Sequence, residues 1–166
     1  MAIWFFQVNR SDDINVIDFW HKNNTPLDQV AIMLKMKGYN YGIHIWPHDA
    51  NARDRSGITF VQQARPLDLY GFVLEPHSFI DGINQVRTTM NKMWFDRTKC
   101  AEGLKLLENY KKKWNASFGG WTSEEVHNEC SHCAAAMRYL VASLKRIQGS
   151  GSMISDAVAT RKFFGG

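Results

Sequence analysis

The spacing of apolar and polar positions changes several times along the chain, and the changes predict strands and helices in alternation. Ala2 to Val8, Ala-Ile-Trp-Phe-Phe-Gln-Val, is too continuously apolar for an exposed edge and predicts a buried strand. A polar turn over Asn9 to Asp13 and weak alternation over Asn15 to Trp20 predict its antiparallel partner, so residues 2 to 20 form a hairpin. Thr25 followed by Pro26 predicts a helix cap and a proline at the first helical position. Leu27, Val30, Ala31, Leu34 and Met36 then keep helical spacing up to Gly38. Residues 42 to 50, Gly-Ile-His-Ile-Trp-Pro-His-Asp-Ala, predict a strand that stops at Pro47 and delivers His48 and Asp49 to a sheet's end.

Asn51 to Pro66 is polar and predicts a loop followed by a short helix, and Leu69 to Leu74 predicts another strand, closed by Pro76. Ser78, with Asp81 three residues on, predicts the cap of a helix carrying Ile80, Ile83, Val86 and Met90. Trp94 and Phe95 break that pattern. From Asp96 to Trp114 the spacing predicts a helix with Cys100, Leu104, Leu107 and Tyr110 on its apolar face and the lysines opposite. Trp94, Tyr110 and Trp114 are expected in the core. Asn115 to Thr122 predicts a loop, and Ser123 with Glu124 and Glu125 the start of the last long helix. Its stripe is Val126, Cys130, Cys133, Met137, Leu140, Val141, Leu144 and Ile147, ending at Gly149 to Ser152. The order is that of an α/β domain over residues 1–148 with a tail at 149–166, and no segment repeats.

Composition adds little until charge is placed. The 166 residues are 45% hydrophobic and 22% charged, as expected of one globular domain. No apolar run approaches the roughly 20 residues that span a bilayer, and the N-terminus lacks a signal peptide's basic start. A cytoplasmic protein is the expectation. Between Arg87 and Lys113, eight basic residues stand against three acidic ones, a local +5 in a chain of net +4. That stretch supplies Arg87, Lys92, Lys99, Lys111, Lys112 and Lys113 as candidate DNA contacts, or else as a solvated helix face. Three cysteines, an odd number, argue against a disulfide framework.

Asp49 is the leading candidate for a metal ligand, because open α/β sheets keep their chemistry at strand ends. His48 beside it is a candidate proton shuttle, a partner that orients the ligand, or simply a strand-end residue. Arg87 and Arg138 read as phosphate contacts or as partners of Asp81 and Glu102. Cys130 and Cys133, flanked by His127 and His132, have a spacing used for zinc, but they also fall on the helix's apolar stripe, where free Cys acts as a small hydrophobe.

Taken together, Pro47-His48-Asp49-Ala50, Asp81-Gly82-Ile83-Asn84 with Arg87, Trp94-Phe95-Asp96, Lys99-Cys100-Ala101-Glu102-Gly103-Leu104, Tyr110, Trp114, His127, Ser131-His132 and Arg138-Tyr139-Leu140 form a familiar series. In order and spacing it resembles the C-terminal nuclease domain of the large terminase subunit of tailed bacteriophages. The resemblance implies a ribonuclease-H-like mixed sheet flanked by helices. It also implies a function in which carboxylates hold one or two Mg²⁺ or Mn²⁺ ions to cut concatemeric phage DNA. Asp49 matches one of that family's three ligand positions. The first-strand ligand would lie upstream of Ala2, so a sheet lacking the family's first strand is expected. The third position falls on Ala135, whose methyl cannot bind a cation, and Asn128 stands where many members carry Asp.

These gaps lead to the expectation of a terminase-nuclease-like protein that has lost cleavage and acts by binding DNA or a packaging or host-defence protein. It would need no cofactor and would work in the host cell of a phage or prophage. The alternative is an active Mg²⁺- or Mn²⁺-dependent endonuclease. The family's first strand is central, between its second and fourth, so its absence would leave two open edges. Direct closure of strand 2–8 on strand 42–46, or pairing across a second copy, is the expected remedy. A fold-back of the tail around Val158 to Phe164 is the third.

Overall fold

The structure is a computed structural model that describes residues 1–9, 11–149 and 160–165. Strand β1 (Ala2–Val8) pairs antiparallel with β2 (Ile14–His21), with a register shift between Phe5 and Phe6. The buried faces explain why β1 is apolar throughout. Ala2, Trp4 and Phe6 enter one core while Ile3 and Phe5 enter the other, so the strand is covered on both sides.

Helix α1 (Leu27–Met36) buries Val30, Ala31 and Leu34 in the second of these cores. Its cap position is held by Pro26, with no side-chain bond from Thr25, which corrects the expected Thr25 cap by one residue. Gly38 follows with φ +66°, the left-handed conformation a helix end requires. Strand β3 (Tyr41–Trp46) then runs to Pro47, and a single 3₁₀ turn, His48–Asn51, follows it. Helix α2 (Phe60–Ala64) is closed by a reciprocal capping box between Thr59 and Gln62. The next strand, β4 (Gly71–Val73), is shorter than expected and pairs parallel to β3. A Cβ on Gly71 would lie 2.1 Å from the His44 carbonyl oxygen, so only glycine fits that register.

On the opposite face lie α3 (Phe79–Thr89), capped by Ser78 as predicted, α4 (Ala101–Glu108) and the long α5 (Glu129–Gly149). Trp4 donates its indole N–H to the Cys133 carbonyl at 3.2 Å, tying β1 to α5. Gly103 lets α4 approach the sheet closely: a Cβ there would sit 2.4 Å from the Trp4 ring and 2.6 Å from that of Phe19. Trp94 and its neighbours make a short strand, β5 (Met93–Phe95), added parallel to β2 at the sheet's edge.

Between α4 and α5 the chain departs from its helical reading. The helix expected through Trp114 ends at Glu108, and residues expected as loop and helix start form a hairpin of β6 (Lys112–Asn115) and β7 (Gly120–Glu125). Trp114 and Trp121 pair across it, and such cross-strand aromatic pairs override the helical propensity of the neighbouring lysines. Trp94 and Trp114, expected in the core, are exposed.

The sheet's middle is filled from the far end of the chain. Strand β8 (Thr160–Gly165) lies between β3 and β1, giving the order β4-β3-β8-β1-β2-β5. It runs antiparallel to β1 and parallel to β3, so the third remedy, and neither of the two favoured ones, is the one observed. Among the described residues no helix is long and apolar enough to cross a membrane.

Candidate functional site

Pro47 ends β3 because it offers no N–H to the ladder, and the 3₁₀ turn behind it points His48 and Asp49 into solvent. The turn is anchored by Ala50, which is buried in the core beneath α1 and α2. Tyr139 reaches this point from α5: its hydroxyl lies 3.4 Å from His48 Nδ1, with the ring centroids 6.3 Å apart. His77, just beyond β4, meets the other side of Tyr139 edge-on at 5.6 Å. Burial, and then the negative charge of Asp49, push the Tyr139 phenol above its ordinary pKa. The site at the ends of β3 and β4 is thus an exposed Asp, two His and a Tyr.

A pair of hard cations needs several converging oxygen donors. Among the described residues no group of three or more His, Cys, Asp or Glu could hold a metal. Ala135 lies one helical turn before Tyr139 on α5 and is 7% exposed, its methyl taken into the core. Asn128 is occupied as the start of α5, where its side-chain oxygen accepts from the backbone N–H groups of Cys130 at 3.0 Å and Ser131 at 3.2 Å. Glu129 turns away to accept from Asn23 Nδ2 at 2.8 Å. The donor set among the described residues therefore does not fit the two-ion site that the resemblance implies.

The cysteines are likewise placed by packing. Cys133 is buried and donates weakly to the Gly103 carbonyl at 3.4 Å, and burial raises its pKa. Cys100 is buried against the Val16 carbonyl at 3.3 Å, its thiol pushed up to about 12, chiefly by burial. Cys130 is half-exposed.

The predicted basic residues do not form one stripe. Arg87, Lys111 and Lys112 rim a cleft of about 270 Å³ floored by Phe79, Ile83 and Met137. Arg138 closes its inner wall, stacked over Phe79 at 4.3 Å and 3.6 Å from Glu125, which corrects its proposed pairing with Asp81 or Glu102. Tyr110 donates to the same Glu125 carboxylate at 2.5 Å. Lys92 lies in a separate groove with Lys145 and Arg146. Lys99 donates to the Tyr39 hydroxyl at 2.9 Å, beside the buried Asp18 that also receives Lys37. Lys113 stands 3.7 Å from Glu124 on the hairpin.

The residues sequence reasoning missed are the hairpin's aromatics. Trp114, Phe118 and Trp121 are 51%, 87% and 62% exposed. The available signal was Trp114 and Trp121 flanking a Gly-Gly turn, a hairpin pattern masked by the preceding lysines.

A family model described as the terminase RNaseH-like domain matches residues 1–144 of the chain. The chain belongs to that family. No curated protein and no solved structure matches it. This membership is consistent with the mixed sheet and its flanking helices. The match stops before β8, which lies outside the terminase RNaseH-like region.

Proposed function

We propose that this terminase RNaseH-like domain has lost metal-dependent cleavage and acts by holding phage DNA, at unpaired bases or ends, during packaging or its interruption. The observation that carries the reading is the site itself. Asp49 lies beside His48 and Tyr139, with His77 on the same ring, and among the described residues no further carboxylate joins it, which supports this reading. One carboxylate binds Mg²⁺ too weakly to make a nuclease.

DNA, rather than a protein partner, is favoured by the exposed Trp114, Phe118 and Trp121 beside Lys111, Lys112 and Lys113. Flat exposed rings stack on bases of any sequence, and lysines neutralise the backbone beside them. Arg87 and the cleft rim extend this basic surface, while Lys92 and Lys99 contribute at a distance.

The test is a plasmid incubation with Mn²⁺ alongside fluorescence anisotropy on single-stranded and duplex oligonucleotides over a salt series. The expected result is no cutting, and binding that weakens steeply with salt. Cutting abolished by Asp49→Ala would overturn the loss of catalysis in favour of an active endonuclease. Absence of salt-dependent binding would point to a packaging or defence protein as the partner.

A further inference from the structure

We propose that the cleft between α3, α4 and α5 docks an acidic peptide segment of another protein. The segment inserts a large apolar side chain and sets its carboxylates against Arg87, Lys111 and Lys112.

The cleft is layered. Its floor is apolar: Ile83 and Val86 of α3 and Leu107 of α4 lie half-buried beside the fully buried Met137 of α5. Its inner wall is polar, but those groups are already matched to one another. Tyr110 donates to Glu125, and the Arg138 guanidinium stands 3.6 Å from the same carboxylate while stacked over Phe79. Among the described residues Glu125 is the only acidic side chain lining the cleft, and its charge is spent on that wall. Arg87, Lys111 and Lys112 are exposed at the rim, and among the described residues none of the three is in an ion pair. The surface thus presents an apolar depression beneath three uncompensated positive charges.

These layers select the occupant. A volume of about 270 Å³ falls short of the roughly 300–1,000 Å³ that enclose a drug-sized molecule, and suits the side chains of a peptide. A nucleobase fits poorly, because its polar edges would be buried on the apolar floor without partners. A phosphate backbone matches the rim and leaves the floor empty. An acidic peptide carrying a large apolar residue satisfies both. Apolar anchors seated in pockets supply most of the energy of such contacts, and opposite charge at the rim supplies orientation and association rate. The segment and DNA draw on the same three cations, so each excludes the other from this rim; that consequence alone rests on the DNA reading.

The test presents the full chain to a bead-bound library of random decapeptides. Retained sequences are expected to be enriched in Asp and Glu around one or two Leu, Met or Phe residues. They should bind the Arg87→Glu variant about ten-fold or more weakly than the parent. The Lys35→Glu variant makes the same charge change on an exposed position of α1, which packs on the other core, and should bind within about two-fold of the parent. Met90→Ser, at the exposed end of the floor, is expected to weaken binding about five-fold.

Replacing the apolar residues of a retained peptide by serine should cost about ten-fold or more. Enrichment without the acidic and apolar pattern, or equal losses in the Arg87→Glu and Lys35→Glu variants, would overturn the proposal. Unchanged binding to Met90→Ser would place the peptide elsewhere and overturn it too. So would equal binding of the serine peptide, since charge alone is what a DNA backbone offers.

Discussion

Trp114 and Trp121 face each other across the β6–β7 ladder with ring centroids 5.0 Å apart and planes at 76°, an edge-to-face pair that stands in solvent. Exposed indoles add little to folding, and the proposed DNA binding gives them a use. Trp121→Ala is expected to weaken single-stranded DNA binding by roughly 5- to 150-fold, the range of one lost stacking platform. Its melting temperature should stay within a few degrees of the parent. Anisotropy titration and calorimetry on the same preparation check both halves.

Ala135→Asp should separate a missing ligand from a missing fold. Adding a carboxylate at a buried methyl is expected to lower the melting temperature without metal. If position 135 faces the Asp49 site, as the family resemblance implies, Mn²⁺ should recover part of that loss in Ala135→Asp but none in Ala135→Asn, because only the former adds an anionic donor. Equal behaviour of the two variants would show that position 135 does not face the Asp49 site.

Gly103→Ala probes the approach of α4 to β1. The added methyl would meet the Trp4 and Phe19 rings at 2.4 and 2.6 Å, so the helix must move outward. Destabilisation of about 1–3 kcal/mol is expected, as for other overpacked cores. A urea midpoint shift without a change in slope would measure it.

Thiol chemistry should distinguish the three cysteines. Burial pushes Cys100 up to about 12 and raises Cys133 as well, so near neutral pH both stay as thiols, and the thiolate is the reactive form. Iodoacetamide at pH 8 is expected to modify Cys130 alone in the native protein and all three cysteines in denaturant. Rapid native labelling of Cys133 would contradict its packing beneath α4.

The loop before α2 should loosen in acid. Ser56 and Ile58 hydrogen bonds hold the Asp54 carboxyl below the usual carboxylate range. A depressed folded value means that the stabilisation is complete above the unfolded pKa and is lost as pH falls through the folded one. Amide exchange at Ser56 and Ile58 should therefore accelerate, relative to the rest of the chain, only at pH values below the ordinary Asp range.

Much of the scaffold was legible because its periods were unambiguous. Continuous apolarity at Ala2–Phe6, a proline stop at Pro47, the Ser78 cap and the α5 stripe from Cys133 to Ile147 are each found in place, while Val126 falls before the helix and Cys130 stays half-buried. The place of Asp49 just past the end of β3 was legible for the same reason. The hairpin was not, since Lys111 to Trp114 continues the spacing of α4, and the β6–β7 ladder with its Trp114–Trp121 pair is seen only in the fold. Position β8 was illegible on different grounds. A central strand is chosen by the gap it fills, and nothing local in Thr160 to Gly165 announces the two edges waiting for it.

The late position of β8 has a consequence during translation. Until residues 160–165 clear the ribosome, the nascent polypeptide holds the edges of β1 and β3 open, with Trp4, Phe5 and Phe6 already made and not yet enclosed. Synthesis at about 5–20 residues per second leaves that sticky intermediate alive for several seconds. Chaperone supply and growth temperature would then govern how much protein is recovered.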